Sequence, residues 1–291
     1  MDTAVTSTGI SLQNILFATD FSLCSEIALA YAVKLCRRFA STLHTVHVVR
    51  EELTDVQPPD PFYLLHSAQR KMTSLVRSEP FGEIQHRELL REGDVAQVLC
   101  DLTEVLGINL FVLGTHGRSG LKKLLLGSIA EEILGCAPCP VLTIGPHILE
   151  NPGAELEFKR ILYATDLLHN SGKTVAFALS LAEHEHARLT VMHVVKPLTD
   201  APGDYLEAVT DAARKRMVEV LPADLKIEAE FVLEVGMPAE LIARVASTQK
   251  ADLIVMGAHH GSARVSAHLP WVTPHHVICQ ATCPVVTVHE P

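Results

Sequence analysis

Glycines and basic residues are concentrated in one segment of the chain, GTHGRSGLKKLLLGS at residues 114–128. Gly114 and Gly117 leave the backbone open to close approach by a ligand, and Gly127 and Ser128 stand where a helix is predicted to begin. Free amides and the helix dipole at such a start favour an anion. Three basic side chains on the intervening loop could neutralise phosphate charge: Arg118, Lys122 and Lys123. The segment predicts a phosphate site, in which Ser128 either caps the helix or donates to a phosphate oxygen.

A carboxylate follows the first apolar segment of the chain. Asp20 ends the short predicted strand 14–20, and its oxygens could accept a hydrogen bond from a ribose hydroxyl. Phosphate donors, a sugar acceptor and apolar strand ends for a base together predict a nucleotide site. Taken singly, each feature also has a structural interpretation: the glycines as turns, Ser128 as an N-cap, and the two lysines as a solvated face.

Most of the sequence occurs twice. NILFATDFS at 14–22 recurs as RILYATDLL at 160–168, and NLFVLGTHG at 109–117 recurs as DLIVMGAHH at 252–260. Three further segments also recur, and all five occur in the same order in both halves, at offsets of about 145 residues. This indicates a duplicated domain. A polar join with two prolines lies near 146–158, so we expect one domain at 1–147 and a second at 148–291.

Each copy alternates short apolar strands with segments of helical periodicity. Ser22 and Asp94 stand where N-cap residues are expected, just before two of the helical segments. This alternation predicts an α/β fold: two tandem, doubly wound, Rossmann-like parallel sheets of five strands, in the order 3-2-1-4-5, with helices on both faces. Ligands of such sheets bind beyond the carboxyl ends of strands 1 and 4, where Asp20 and Gly114 fall.

Composition narrows the class of protein. The 291 residues carry a formal charge of −10, which is unfavourable for binding nucleic acid. No apolar run reaches the roughly 18 residues of a membrane span, and the first residues do not resemble a signal peptide. Seven scattered cysteines fit a reduced cytoplasm better than a disulfide scaffold. We therefore expect a cytoplasmic protein without nucleic-acid or membrane partners, in which Cys136 and Cys139 serve packing.

The chain resembles the universal stress protein family in its tandem form. The resemblance rests on FATD (17–20) and YATD (163–166), HVV (47–49 and 193–195), the glycine pattern at 114–128, and CPVLTI and CPVVTV at the last strands. Family members that carry the glycine pattern bind ATP or AMP. The resemblance thus implies ligand contacts from residues at the strand ends and from the start of the fourth helix: Ala18, Thr19, Asp20, Val48 (through its backbone, to adenine), Gly114, His116, Gly117, Gly127, Ser128, Ile129 and Ala130.

The second copy departs from this pattern at the phosphate end. Asp166 and Gly257 remain, but His260 replaces the second glycine and Trp271–Val272 replaces Gly127–Ser128. An indole removes both the space and the hydroxyl donor, so we expect no ATP in the family manner there. The second cleft is then either structural or a site for another ligand, apolar or metal. Histidines that could contribute to zinc binding flank it: His259, His260, His268, His275 and His276.

The nucleotide-site features together with the family resemblance imply a stress-response regulatory protein whose N-terminal domain binds ATP, AMP or ADP, with magnesium or manganese as the accompanying ion; the identity of the base as adenine comes from the resemblance alone. Asp20 is the only obvious carboxylate near the glycine segment, so we expect at most weak ATPase activity. The alternatives are a slow hydrolase or phosphotransferase, and a carrier of an apolar ligand or metal in the C-terminal domain. The last strands, 140–145 and 284–289, are apolar edges that need cover. The resemblance implies that they pair antiparallel as an internal pseudo-dimer, which could dimerise further. The 118–126 loop would contact an unknown protein partner.

Overall fold

The structure is a computed structural model that describes residues 11–50, 61–78, 81–82, 84–115, 126–148, 157–167, 172–197, 204–259 and 272–290. The chain divides into two compact units, one over residues 11–146 and the other from residue 147 onward. Among the described residues, each unit contains five strands and four helices.

The N-terminal unit alternates five strands with four helices. The strands are β1 (Asn14–Ala18), β2 (Thr42–Val49), β3 (His86–Glu92), β4 (Leu110–Gly114) and β5 (Val141–Ile144). The helices are α1 (Leu23–Phe39), α2 (Pro61–Ser78), α3 (Val95–Val105) and α4 (Ser128–Cys136). The strands run parallel in the order β3-β2-β1-β4-β5.

The second unit repeats this arrangement. Its strands are β6 (Arg160–Ala164), β7 (Arg188–Val195), β8 (Ala229–Val235), β9 (Leu253–His259) and β10 (Val285–Glu290), and its helices are α5 (Gly172–Glu185), α6 (Tyr205–Glu219), α7 (Pro238–Thr248) and α8 (Val272–Gln280). They pair in parallel as β8-β7-β6-β9-β10. The predicted α/β fold and strand order are confirmed in both halves.

Burial on both faces of the sheet explains why the sequences of the central strands are continuously apolar. Ile15, Leu16 and Phe17 of β1 and Phe111 of β4 are fully buried because helices cover both faces of the sheet. The predicted N-caps are confirmed: Ser22 Oγ accepts from Ser25 N at 3.3 Å, and Asp94 Oδ1 accepts from Gln97 N at 3.0 Å. Within the residues that the structure describes, no helix combines the length and apolarity needed to cross a membrane.

The cysteines differ from expectation at one position. Cys136 does not serve packing: it is exposed at the end of α4 and forms a disulfide with Cys100 of α3. Cys139 is buried, as are Cys24 and Cys36 of the same unit. The sequence gives no sign of the pairing because the two partners are 36 residues apart and become neighbours only when α3 packs on α4.

Candidate functional site

The chain turns sharply where β1 ends. Phe21 adopts a left-handed conformation with φ of 60°, which is unfavourable for a bulky residue. Thr19 holds the turn, since its hydroxyl accepts from Phe21 N at 3.0 Å and lies 3.0 Å from Ser25 Oγ. Leu167 has the same φ of 60° and the same bond from its amide to Thr165 Oγ1 in the second unit. Backbone strain of this kind is concentrated at functional sites, and here both copies retain it.

His47 joins the ends of β1 and β2. Its Nδ1 donates to the carbonyl oxygen of Thr19 at 2.7 Å, and its ring lies 4.4 Å from that of Phe21. His193 donates in the same way to Thr165 at 2.8 Å. His47 is therefore a positioning residue for the β1 turn, and sequence reasoning assigned it no role.

Asp20 lies half-buried in this turn. Its Oδ1 accepts from Ser22 N at 3.0 Å, a side-chain-to-backbone bond that fixes the carboxylate at the mouth of the switch point between β1 and β4. Thr19, by contrast, is 6% exposed and its hydroxyl contacts the protein itself. The structure thus places Asp20 at the mouth of the switch point and gives Thr19 a supporting position in the turn.

The backbone of Val48 faces the space beyond the end of β1. Thr19 N donates to Val46 O at 2.9 Å, so the N–H and C=O of Val46 point toward β1. The N–H and C=O of successive residues point to opposite sides of a strand. The Val49 carbonyl accordingly faces β3, where it accepts a hydrogen bond from Gly93 N at 3.2 Å. The N–H and C=O of Val48 must then point to the β1 side, past the last β1 residue. A planar base edge could pair with them there.

Gly114 ends β4 against helix α1. A β-carbon on Gly114 would lie 2.8 Å from Cys24 Sγ and 2.9 Å from the Cys24 carbonyl atoms. The glycine is required by close helix–strand packing, whereas the sequence interpretation was an opening for a ligand. Its effect on the site is indirect, because it lets the first turn of α1 approach the end of β4.

The ends of the glycine segment are brought together. Gly127 N donates to Thr115 O at 2.9 Å, so the chain leaves β4 and returns to the same point before α4 begins. A β-carbon on Gly127 would lie 3.0 Å from Thr115 O, which explains a glycine at this position. The helix starts at Ser128, as predicted, with Gly127 as its N-cap; Ser128 is therefore the first helical residue and not the cap.

The first turn of α4 is suited to an anion. Glu131 N makes the first bond within the helix, to Gly127 O at 3.0 Å, so the amides of Ser128, Ile129 and Ala130 have no acceptor within α4. A glycine cap has no side chain that could accept from them. Ser128, the first residue of this turn, is exposed.

The predicted residues therefore meet at one edge of the sheet. Those on the ends of β1, β2 and β4 and on the first turn of α4 all lie at the carboxyl edge, around the switch point. His116 and Gly117 lie outside the described residues, as do Arg118, Lys122 and Lys123.

The second unit has a cavity of about 290 Å³ at the equivalent position. Its lining is mainly apolar, with Tyr163, Met192, Ile242 and Met256. Polar groups come from the strand ends and helix starts: Thr165, Asp166, Thr174, His193, Lys196 and Thr273. Val194 also lines it, as expected if its peptide groups face the cavity in the way inferred for Val48.

Helix α8 differs from α4 in its first turn. Both helices have nine residues, so Pro274 of α8 corresponds to Ala130 of α4. Proline has no N–H, and one of the three amide donors is therefore missing from the second unit. Pro274 lines the cavity directly. Trp271, on which the sequence prediction for this unit depended, lies outside the described residues.

Within the described ranges, no group of three or more His, Cys, Asp or Glu side chains is arranged to hold a metal ion. The rings of His275 and His276 stack at 5.6 Å, while His260 and His268 lie outside those ranges.

The chain belongs to the universal stress protein family. The model of that family matches it twice, at residues 11–145 and 157–289, so the protein is a tandem universal stress protein. Each single-domain relative matches about half of the chain. The universal stress protein MJ0531 of Methanocaldococcus jannaschii is 30% identical over 141 residues, which are 45% of this chain and 81% of that protein.

Two further comparisons agree. A universal stress protein of Thermus aquaticus is 33% identical over 136 residues, 45% of this chain and 98% of that protein. The crystal structure of a universal stress protein from Archaeoglobus fulgidus covers 96% of this chain and 99% of its own, with a TM-score of 0.70 at 19% identity. At that identity the likeness establishes the tandem fold alone.

Proposed function

We propose that the N-terminal unit binds ATP or a related adenine nucleotide and that the protein acts as a nucleotide-dependent regulator in the stress response. One observation carries the proposal: three amides without helical acceptors open α4 at the switch point of the sheet, behind a glycine cap. Phosphate oxygens would accept from these amides and from Ser128. The ribose would bond Asp20, and the base edge would pair with the backbone of Val48.

Regulation would act through the segment between β4 and α4. Its ends are fixed to each other by the Gly127–Thr115 bond, so phosphates bound at α4 would also contact His116, Gly117 and the basic residues of that segment. The ordered 118–126 loop would then present its leucines to a protein partner. ATP is expected to protect this loop from proteolysis, and unchanged cleavage at saturating ATP would refute the mechanism. Cytoplasmic location, the internal pseudo-dimer and a homodimer belong to the same proposal.

The site is tested by Ala130→Pro, which copies Pro274 of α8 into α4. Ala130 and Pro274 are each the third residue of a nine-residue helix, and both are buried. The substitution therefore removes one N–H donor, and the fold already accommodates proline at this position in α8. A hydrogen bond to a charged group contributes about 1.5–3 kcal/mol, so ATP affinity should fall about tenfold or more. Ala130→Gly keeps the amide and serves as control. Equal affinities for the two variants in calorimetry would place the phosphates elsewhere.

Catalysis is the alternative for the same site. A turnover assay with magnesium or manganese separates the two, since an efficient hydrolase or phosphotransferase reaches about 1 s⁻¹ or more. We propose a rate well below this value, with magnesium or manganese serving only to neutralise the bound phosphates.

The cavity of the second unit favours one further function. Its apolar walls and missing amide suit a ligand without phosphate, whose polar group would face Asp166 or Lys196. The C-terminal unit would then carry such a ligand alongside nucleotide in the N-terminal unit. Native mass spectrometry of the purified chain should reveal the co-purifying mass, and Met256→Trp, which fills the cavity, should remove it without affecting the nucleotide.

A further inference from the structure

The Cys100–Cys136 disulfide ties the middle of α3 to the last residue of α4. The two Cα atoms are 6.3 Å apart, within the range that a disulfide spans without moving the backbone. Cys136 is exposed and Cys100 is half-buried, so the link lies at the surface of the unit. This link is independent of every residue assigned to the nucleotide site.

The other cysteines of the N-terminal unit are protected from reagents in solution. Cys24, Cys36 and Cys139 are buried. Burial raises the pKa of the Cys36 and Cys139 thiols to about 12, which leaves them protonated and unreactive at neutral pH. Oxidation of this unit should therefore be confined to Cys100 and Cys136.

The second unit has the same helices without the link. Helices α3 and α7 both have eleven residues and α4 and α8 both have nine, so Ala243 and Gln280 correspond to Cys100 and Cys136. They match in exposure as well, half-buried and exposed respectively. The fold thus forms without the pair, and the pair occurs in the unit whose α4 begins with Gly127–Ser128. This distribution indicates a role beyond folding.

We propose that Cys100 and Cys136 form a reversible oxidation site, closed by peroxides and reopened by dithiols. The Cys136 thiol ionises and its thiolate attacks hydrogen peroxide; the O–O bond breaks, a sulfenic acid forms, and the released hydroxide takes up the thiol proton as water. The Cys100 thiol ionises in turn and attacks the Cys136 sulfur; the S–O bond breaks as the S–S bond forms, and the second hydroxide takes up the Cys100 proton as water. Two electrons pass from the thiols to peroxide, and a dithiol reductant returns them.

Closing the link would fix the α4 end farthest from the candidate site. Nine residues make α4 about 13 Å long, and its first turn carries the amides of Ser128, Ile129 and Ala130. A helix tied at its far end tilts less, so those amides are better held in place for an anion. This coupling rests on the proposed nucleotide function, whereas the dithiol chemistry does not.

Peptide mapping tests the chemistry. The reduced full chain is treated with one equivalent of hydrogen peroxide, alkylated and digested without reductant. One linked pair, Cys100 with Cys136, should appear, and dithiothreitol should reopen it. Ala243→Cys/Gln280→Cys should create an equivalent link in the second unit, which checks the geometry. Absence of the Cys100–Cys136 link, a link between Cys136 and Cys139, or irreversible oxidation would overturn the proposal.

Two measurements test the consequence for α4. The melting temperature of the unit should rise by about 10 °C on oxidation, and amide exchange over 128–131 should slow. Neither should change in Cys100→Ser or Cys136→Ser. ATP affinity should rise about fivefold on oxidation of the wild type only. If amide exchange over 128–131 is equal in the oxidised and reduced protein, the coupling between the disulfide and α4 is overturned, and this test needs no nucleotide. If exchange slows on oxidation but no ATP binds, only the nucleotide proposal is refuted.

Discussion

A β-carbon placed on Gly114 would lie within 2.9 Å of the Sγ, C and O atoms of Cys24. Gly114→Ala should therefore force α1 away from β4 and lower the free energy of unfolding by about 1–3 kcal/mol. Gly135 is the matched control, because a β-carbon there meets nothing within 4 Å. Gly135→Ala in a helix should be neutral or stabilising by up to about 1 kcal/mol. Urea unfolding, monitored by hydrogen exchange of β1 and β4, measures the unfolding free energy of both variants.

Two of the three close atoms on Cys24 belong to the backbone. Shortening the side chain by Cys24→Ala in the Gly114→Ala background should consequently restore only part of the lost stability. Full recovery would mean that the sulfur alone excludes a side chain at position 114 and that the helix backbone can adjust.

His44 predicts a pH dependence of stability. It is 2% exposed on β2, and burial, followed by the nearby charges of Arg87 and His86, lowers its pKa from the usual 6.5. The unfolded state then binds a proton at a higher pH than the folded state, so stability is complete above about 6.5 and falls as the pH drops toward the folded value. The N-terminal unit should unfold more readily at pH 5.5 than at pH 7.5.

A variant that copies the second unit isolates this effect. Thr190 occupies the equivalent strand position, since His44 pairs with Leu16 and Thr190 with Leu162. His44→Thr should reduce the slope of unfolding free energy against pH between 5.5 and 7.5, whatever its effect on absolute stability. An unchanged slope would assign the pH dependence to other groups, with His86 the next to substitute.

At the scale of elements, the third helix of each unit begins differently. Asp94 caps α3 through its side chain, but the N-cap of α7 is Met237, 63% exposed and without a side-chain bond. Met237→Asp should stabilise α7 by about 1 kcal/mol, and Asp94→Ala should destabilise α3 by a similar amount. Hydrogen exchange of peptides from the two helices measures each change separately. Met237→Ala controls for loss of the methionine and should give no gain.

Elements with local signals could be predicted from the sequence. The caps at Ser22 and Asp94, the start of α4 at Ser128 and the strand order all follow from short-range patterns and from the rules of parallel sheets. Contacts made only by tertiary packing could not. The His47–Thr19 bond and the Cys100–Cys136 link each depend on chain segments that meet after folding. Gly114 was predicted as a ligand contact, whereas the structure explains this glycine by the close packing of α1 on β4.

At the scale of the whole molecule, duplication provides two versions of one site. Both units retain the strained turn after the first strand and the histidine that supports it. They differ at the helix that follows the fourth strand, where α4 offers three amides and α8 replaces the third with Pro274. The turn after the first strand is thus common to both units, and the first turn of the helix after the fourth strand distinguishes them.

This difference predicts one nucleotide per chain. Calorimetric titration with ATP should give a stoichiometry of one. Ala130→Pro should weaken that single event, and Pro274→Ala should leave it unchanged, because the two helices belong to different units. Adenosine, which needs no phosphate donors, should discriminate less between the units than ATP does. A stoichiometry of two for ATP in the wild type, or loss of binding in Pro274→Ala with retention in Ala130→Pro, would show that the first turn of the helix does not decide where the triphosphate binds.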